Sequence, residues 1–184
     1  TLARTYQGLG LPQLGQSVMN EGFAQSKAAD ISYATALYRN GQDDVSGAIA
    51  ALARVAPEQR TEGMRALANN LQAQQLLKKA RAQFAEGQHA ASEKSLNSAA
   101  ALAVDDPYML ASLGSEWIAQ GRSDHGLDLL GHWIHTHSVK PDVDVLLRYG
   151  DLLASAKREG ELKSWRANIG KTPGLTPNQQ KRLE

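Results

Sequence analysis

The sequence contains no cysteine, which excludes disulfide bridges, cysteine nucleophiles and thiolate metal sites. Aromatic residues make up only 5% of the 184 residues. No uncharged apolar run reaches the roughly 20 residues that cross a bilayer, so we expect no transmembrane segment in these residues. With 20 basic and 19 acidic residues and no basic stripe, we expect no nucleic-acid partner. The abundant Ala, Leu and Gln are typical of stacked helices with small and aliphatic contacts.

Four glycines share one pattern of neighbours. Gly10, Gly41, Gly87 and Gly121 each follow a small residue by seven positions, precede a small residue by five and precede an apolar residue by nine. The interval from Gly87 to Gly121 is 34 residues. The same spacing separates Leu76 from Leu110, Ala80 from Gly114, Ser92 from Gly126, Leu96 from Leu130 and Pro107 from Pro141. This is the period of the tetratricopeptide (TPR) helix–turn–helix repeat, so the sequence predicts an all-α fold, an α-solenoid of TPR repeats.

The spacing predicts a single array over 1–184, excised from a longer protein. Its approximate repeats are 1–26, 27–57, 72–106, 107–140 and 141–173. The interval from Gly41 to Gly87 is 46 residues, 12 more than the period, and the surplus lies in 58–71. Apolar residues keep helical spacing there, which indicates a helical insertion. Either the next helix is unusually long, or a short extra helix breaks at Asn69 and Asn70.

Acidic residues ahead of the apolar segments predict helix N-caps. We expect Asp30 to cap a helix ending at Asn40, and Asp43 or Asp44 to cap one running through Val55. Gly41 is the expected turn between them. We expect the aspartates at 105–106 to cap the helix that begins at Pro107, and those at 142/144 to cap the helix that begins at Val143. Residues 176–177 combine an N-cap threonine with a first-turn proline.

One helix carries residues that suggest a metal site. Asp128, His132 and His135 share a helix face, with His125 and His137 nearby. No second element supplies further ligands, so we expect surface histidines, no metal and no cofactor. The serines lack the strand–turn–helix context of a nucleophile elbow. We therefore expect no enzymatic activity.

The inner face of such an array is the expected binding surface. In stacked TPR pairs the first helices line a concave groove, and the turn glycines place Tyr38, Arg39, Arg81, Phe84 and Tyr108 on it. These residues would offer aromatic platforms and cationic donors to an extended ligand. Alternatively, the aromatic side chains pack between repeats. We also predict that the array bends most easily at 58–71.

Three segments carry a resemblance to a known family. They are SYATALYRNGQDDVSGAIAALARVAP (32–57), LANNLQAQQLLKKARAQFAEGQ (67–88) and PGLTPNQQKRL (173–183). Together they resemble the periplasmic TPR region of the bacterial cellulose synthase operon protein C family, the outer-membrane subunit of exopolysaccharide export. Helices outside strict repeat spacing interrupt the array in that family.

The resemblance implies a periplasmic location in a full-length protein anchored by an outer-membrane β-barrel. It implies two partners, the subunits of the inner-membrane cellulose synthase complex and the glucan chain, and it carries over no catalytic residue. The alternative is a generic TPR adaptor that binds a peptide or protein in its groove. Such adaptors clamp a carboxylate with several cations, whereas only Arg39 and Arg81 are strong candidates here.

Overall fold

The computed structural model describes residues 2–25, 28–137 and 142–183. Over these residues the chain is helical and has no β-strand, which confirms the all-α class. The helices are α1 (Leu2–Gly8), α2 (Pro12–Gln25), α3 (Ala29–Asn40), α4 (Val45–Leu52), α5 (Glu62–Ala85), α6 (His89–Leu102), α7 (Pro107–Ala119), α8 (Ser123–Thr136), α9 (Val143–Ser155), α10 (Glu159–Ile169) and α11 (Pro177–Lys181). A 3₁₀ turn, Pro57–Gln59, precedes α5.

Successive helices pair as hairpins through short turns. Contacts join α1 to α2, α3 to α4, α7 to α8 and α9 to α10. Each of five hairpin turns contains one residue in the left-handed region. These residues are Gly10 (φ 75°), Asp43 (φ 59°), Gly87 (φ 74°), Gly121 (φ 81°) and Lys157 (φ 57°). Because this region is strained for most side chains, glycine fills it in three of the five turns.

The α3–α4 turn includes Gly41, as the sequence predicts, but Gly41 is not its left-handed residue. Gly41 is right-handed (φ −68°) and extends the last turn of α3, since its N–H bonds to the Leu37 carbonyl at 3.1 Å. The left-handed residue is Asp43, two positions later. Asp44 is the N-cap of α4 and accepts a hydrogen bond from the Gly47 N–H at 2.8 Å. The helix ends at Leu52, three residues before the expected end.

Three further expected caps are present. Asp106 accepts hydrogen bonds from the Tyr108 and Met109 N–H groups at 3.1 and 3.0 Å. Asp142 accepts one from the Val145 N–H at 2.9 Å. Thr176 and Gln179 form a reciprocal capping box at the start of α11.

The expected cap of α3 was wrong. The helix begins at Ala29, so Asp30 lies in its first turn and Ala28 stands at the N-cap without a side-chain hydrogen bond. A carboxylate in the first turn still faces the positive end of the helix dipole, which gives Asp30 a stabilising position without capping.

The surplus segment is part of one long helix. Helix α5 runs from Glu62 to Ala85 without a break at Asn69 or Asn70. Met64, Leu67 and Leu71 are buried, as their helical spacing requires. Of the two arrangements considered, the structure has the single long helix. The expected start of the fifth pair, Pro141, lies outside the described residues.

The chain divides into two compact units, Thr1–Gln75 and Leu76–Glu184, and α5 contributes residues to both. The first unit has an apolar core of Ala36, Ala48, Ala51, Leu52, Val55, Met64, Leu67 and Leu71. The large side chains buried in the second include Leu96, Leu113, Trp117, Leu130 and Leu152. Ser92 ties α6 to α5, because its hydroxyl donates to the Ala80 carbonyl at 2.9 Å.

Candidate functional site

The five residues predicted for the binding face divide between the two units. Tyr38 and Arg39 belong to the first unit, and Arg81, Phe84 and Tyr108 belong to the second. Their surroundings are described within each unit in turn.

Tyr38 is a packing residue. Its side chain is only 6% exposed and lies in a small apolar cluster with Ala3 and Met19. Its hydroxyl donates to the Pro12 carbonyl at 3.4 Å, which joins α3 to α2. Burial removes the ring as a platform for a ligand, so for Tyr38 the alternative expectation, packing between helix pairs, describes the structure.

Arg39 is directed toward α4. Its Nη1 donates to the Gly47 carbonyl at 3.3 Å, and its Cζ lies 5.7 Å from the centre of the Phe23 ring. The side chain is half-buried, and its Nε has no hydrogen-bond partner. The guanidinium therefore serves the α3–α4 hairpin and offers little to a ligand.

Arg81 is also engaged within the molecule. Its Nε donates to the Glu116 carboxylate at 2.6 Å, which links α5 to α7. The arginine side chain is 59% exposed, whereas that of Glu116 is only 12% exposed. An ion pair this open to solvent contributes about 0–1 kcal/mol to stability, so its main effect is to occupy the cation.

Phe84 stands at the edge of a cleft. The half-buried ring meets the His89 ring edge-on, with 4.8 Å between their centres. The cleft measures about 390 Å³ and is lined by Phe84, His89, Ala90, Glu93, Trp117, Gln120 and Arg122. Arg122 and Glu93 form an ion pair of 2.7 Å across two of these positions. Trp117 is only 2% exposed, so it contributes little to the accessible surface of the cleft.

Tyr108 is the exposed aromatic residue of the predicted set, with 41% of its surface accessible. Its hydroxyl donates to Asp142 at 2.9 Å. The Arg148 Cζ lies 5.0 Å from its ring centre. The hydrogen bond to Asp142 is the main reason that the pKa of the Tyr108 phenol is raised above 10.0, while the charge of Arg148 acts in the opposite direction. The phenol therefore stays protonated at neutral pH and acts as a hydrogen-bond donor.

A second, smaller cleft lies beside Tyr108, between α7 and α9. It measures about 90 Å³ and is lined by Ala111, Ser112, Ser115, Arg148, Asp151 and Leu152. We call it the α7–α9 cleft. Arg148 donates no hydrogen bond to any residue that the structure describes, whereas Arg81, Arg122, Arg158 and Arg182 of the same unit each donate at least one.

Sequence reasoning missed the α9 side of this cleft. Arg148 and Asp151 lie nine and six positions before the left-handed residue Lys157. Ser112 and Ser115 have the same offsets from Gly121. The register was read from turn glycines, and the α9–α10 turn has a lysine there. A left-handed lysine leaves no signal in composition, so the groove positions of the 141–173 repeat were not assigned.

The histidines of α8 do not converge. His125 meets Trp117 edge-on at 4.5 Å, and His137 stacks on Trp133 at 4.2 Å. The His135 Nδ1 lies 2.6 Å from the Gly131 carbonyl. Within residues 2–25, 28–137 and 142–183, no group of three or more His, Asp or Glu residues is arranged to hold a metal ion.

None of the helices in the described ranges combines the length and the apolar character needed to cross a bilayer. No protein-family model matches the chain, and no curated protein sequence or solved structure is significantly similar to it. The functional argument therefore rests on the way the hairpins are linked and on the chemistry of the two clefts.

Proposed function

We propose that the chain is a TPR-type α-solenoid that acts as a scaffold, and that its hairpins are successive copies of one packing unit. One observation supports this most directly. Side-chain hydrogen bonds between neighbouring hairpins repeatedly join residues 34 or 35 positions apart, each within one compact unit. They are Gln74–Asn40, Arg81–Glu116, Tyr108–Asp142, Arg158–Asp124 and Gln179–Asp144.

This recurrence has a simple origin in a repeat protein. Each hairpin packs on the next in the same way, so a side chain that reaches across meets a residue one period further along the chain. An irregular helical bundle would join residues at unrelated separations. Three of the five separations equal the 34-residue period between Gly87 and Gly121, and the other two exceed it by one residue.

We further propose that this scaffold works in the periplasm as part of a bacterial cellulose or related exopolysaccharide export complex. The support is the resemblance of residues 32–57, 67–88 and 173–183 to that family. Its partners are then subunits of the inner-membrane synthase complex and the glucan chain. A generic peptide-binding adaptor is less well supported, because Gly47 and Glu116 already engage the two arginines expected to clamp a carboxylate.

Deletion of one period tests the repeat architecture. Removing residues 107–140 takes out one hairpin and lets the next take its place, so we expect the same mean residue ellipticity and a cooperative thermal transition. Removing residues 107–123, half a period, serves as the matched control and should abolish cooperative unfolding. Loss of cooperativity in both variants would contradict the repeat proposal.

A binding measurement tests the export proposal. The purified chain is immobilised and titrated with the periplasmic domain of an inner-membrane cellulose synthase subunit, with the periplasmic domain of an unrelated membrane protein as control. We expect saturable binding to the synthase domain alone. Equal responses to both domains, together with tight binding of a peptide carboxyl terminus, would favour the adaptor.

A further inference from the structure

We propose that the α7–α9 cleft is a weak subsite for an uncharged, hydroxyl-rich chain, that is, a glycan. The inference deepens the proposed export function and rests on it for the choice of a β-1,4-glucan as the probe. The cleft combines a guanidinium without a hydrogen bond to the described residues, a carboxylate and serine hydroxyls, and the exposed Tyr108 ring lies beside it, all within the second unit.

The donor side of the site is Arg148. Its side chain is exposed and makes no hydrogen bond with the residues that the structure describes, although its ring contact holds it near Tyr108. A guanidinium presents five N–H donors in a fixed plane, which suits two neighbouring oxygen acceptors. The exposed Ser115 hydroxyl has no protein hydrogen-bond partner either, so the cleft has free donors on both helices.

The acceptor side is Asp151. Only its Oδ2 is engaged, by Arg182 at 2.6 Å, which leaves Oδ1 open to a hydroxyl donor. Two further carboxylates lie nearby, since Asp142 bonds to Tyr108 and Asp144 also raises the pKa of that phenol. Asp151 is paired with Arg182, but Asp142 and Asp144 add two carboxylates near Arg148 and disfavour an anionic ligand. A sugar hydroxyl suits the site because it donates to a carboxylate and accepts from a guanidinium at the same time.

The size of the cleft limits how a ligand binds. Pockets that enclose small molecules measure about 300–1,000 Å³. A cleft of about 90 Å³ receives only the hydroxyl-bearing edge of a sugar unit, while the rest of the chain lies on the surface beside Tyr108. So shallow a site gives millimolar affinity, which permits a passing polymer to move on. A peptide carboxylate is the competing ligand, and the surrounding carboxylates disfavour it.

The test is a titration of the ¹⁵N-labelled chain with cellohexaose, followed by amide chemical shifts. We expect shifts centred on Tyr108, Ser112, Ser115, Arg148 and Asp151, with a millimolar dissociation constant. Arg148→Ala should weaken binding at least about fivefold, as expected for the loss of one hydrogen bond to a charged group. Because Arg148 makes no hydrogen bond within residues 2–25, 28–137 and 142–183, this variant should keep the wild-type melting temperature.

Arg122→Ala is the matched control. It removes an exposed arginine of the same unit that lines the larger cleft, and we expect less than a twofold change in affinity. Absence of shifts at saturating cellohexaose, equal loss in both variants, or stronger shifts at this cleft with an acidic peptide would each overturn the proposal. If the synthase domain still binds, the subsite fails while the scaffold proposal stands. If both measurements fail, the export function fails with it.

Discussion

Gly114 of α7 and Gly126 of α8 contact each other backbone to backbone. A Cβ atom added to Gly114 would lie 2.6 Å from the Gly126 carbonyl oxygen, and one added to Gly126 would lie 2.5 Å from the Gly114 carbonyl oxygen. Both distances are far below van der Waals contact, and both obstacles are backbone atoms that cannot rotate away. Because both residues are glycine, the two helix backbones can touch. Ala80 and Ser92, each 34 residues earlier, are the corresponding small residues of the preceding hairpin.

We predict that Gly114→Leu destabilises the chain by roughly 1–3 kcal/mol, because it overpacks this contact. Gly114→Ala should also be destabilising, since the first added atom already collides. Gly160→Ala is the control, because a Cβ at Gly160 in α10 meets nothing within 4 Å. That variant should raise stability by about 0.5–1 kcal/mol, as usual for Gly→Ala in a helix. Urea unfolding gives the free energies, and an unchanged midpoint for Gly114→Leu would contradict the close contact.

The left-handed turn residues predict that two substitutions change the stability of the chain in opposite directions. Gly121 (φ 81°) tolerates its turn without strain, so Gly121→Ala should destabilise the chain by about 1–2 kcal/mol. Lys157 (φ 57°) already bears this strain. Lys157→Gly should therefore stabilise the chain. The gain should be roughly 0.5 kcal/mol, because the greater freedom of glycine in the unfolded chain cancels part of the strain that is relieved. Thermal and urea unfolding would measure both, and a shared sign would show that the backbone conformation is not the cause.

The N-cap of α7 can be tested with adjacent aspartates. Asp106→Ala removes the acceptor of two backbone hydrogen bonds and should lower the free energy of unfolding by about 0.5–2 kcal/mol. Asp105→Ala is the matched control, because that side chain is 94% exposed and its carboxylate lies 3.8 Å from the His137 Nε2. We expect a change within about 0.5 kcal/mol for the control. Equal effects of the two variants would exclude capping as the reason.

Two tyrosines should titrate late. The pKa of Tyr108 is raised above 10.0 chiefly by its hydrogen bond to Asp142, and that of Tyr149 chiefly by burial. Raised values favour the protonated phenols in the folded state, so their stabilisation is complete below about pH 10 and is lost as the pH rises further. Absorbance at 295 nm should show two late components that disappear in denaturant.

Variants assign these components. Tyr108→Phe should remove one of them. Asp142→Asn should lower the pKa of Tyr108 while it keeps an N-cap at α9, because asparagine also caps helices. An unchanged tyrosine titration in Asp142→Asn would contradict the hydrogen bond as the main cause.

The fold class and most helix positions could be predicted from the sequence, because period, apolar spacing and capping act locally. The residue that takes the left-handed conformation in the α3–α4 turn could not. Glycine is compatible with either hand of helix, and the hydrogen bond that extends α3 by one residue depends on the fit to α4. The same limit explains Asp30, since an acidic residue is favourable both at an N-cap and in a first turn.

The candidate site was harder to predict than the fold. The register placed Tyr38 on the correct helix, but whether a ring points into a groove or between helices depends on neighbours such as Ala3 and Met19. The sequence predicted which helix positions the arginines occupy. The residues that they pair with depend on how far each side chain extends across the neighbouring hairpins. Arg148 was not predicted because the groove positions were counted from turn glycines, and the turn of its hairpin has a left-handed lysine instead. Tertiary contacts decide such details, whereas periodicity decides only which helix carries a residue.

The polar links between hairpins also bear on how the chain folds. The most distant residues joined by those described above are 35 positions apart in a chain of 184 residues. Loop closure over such short separations is entropically cheap, and proteins dominated by local contacts fold in microseconds to milliseconds. Each hairpin finds its partner among residues that have just been synthesised, so structure can accumulate from the amino terminus before the last helices exist.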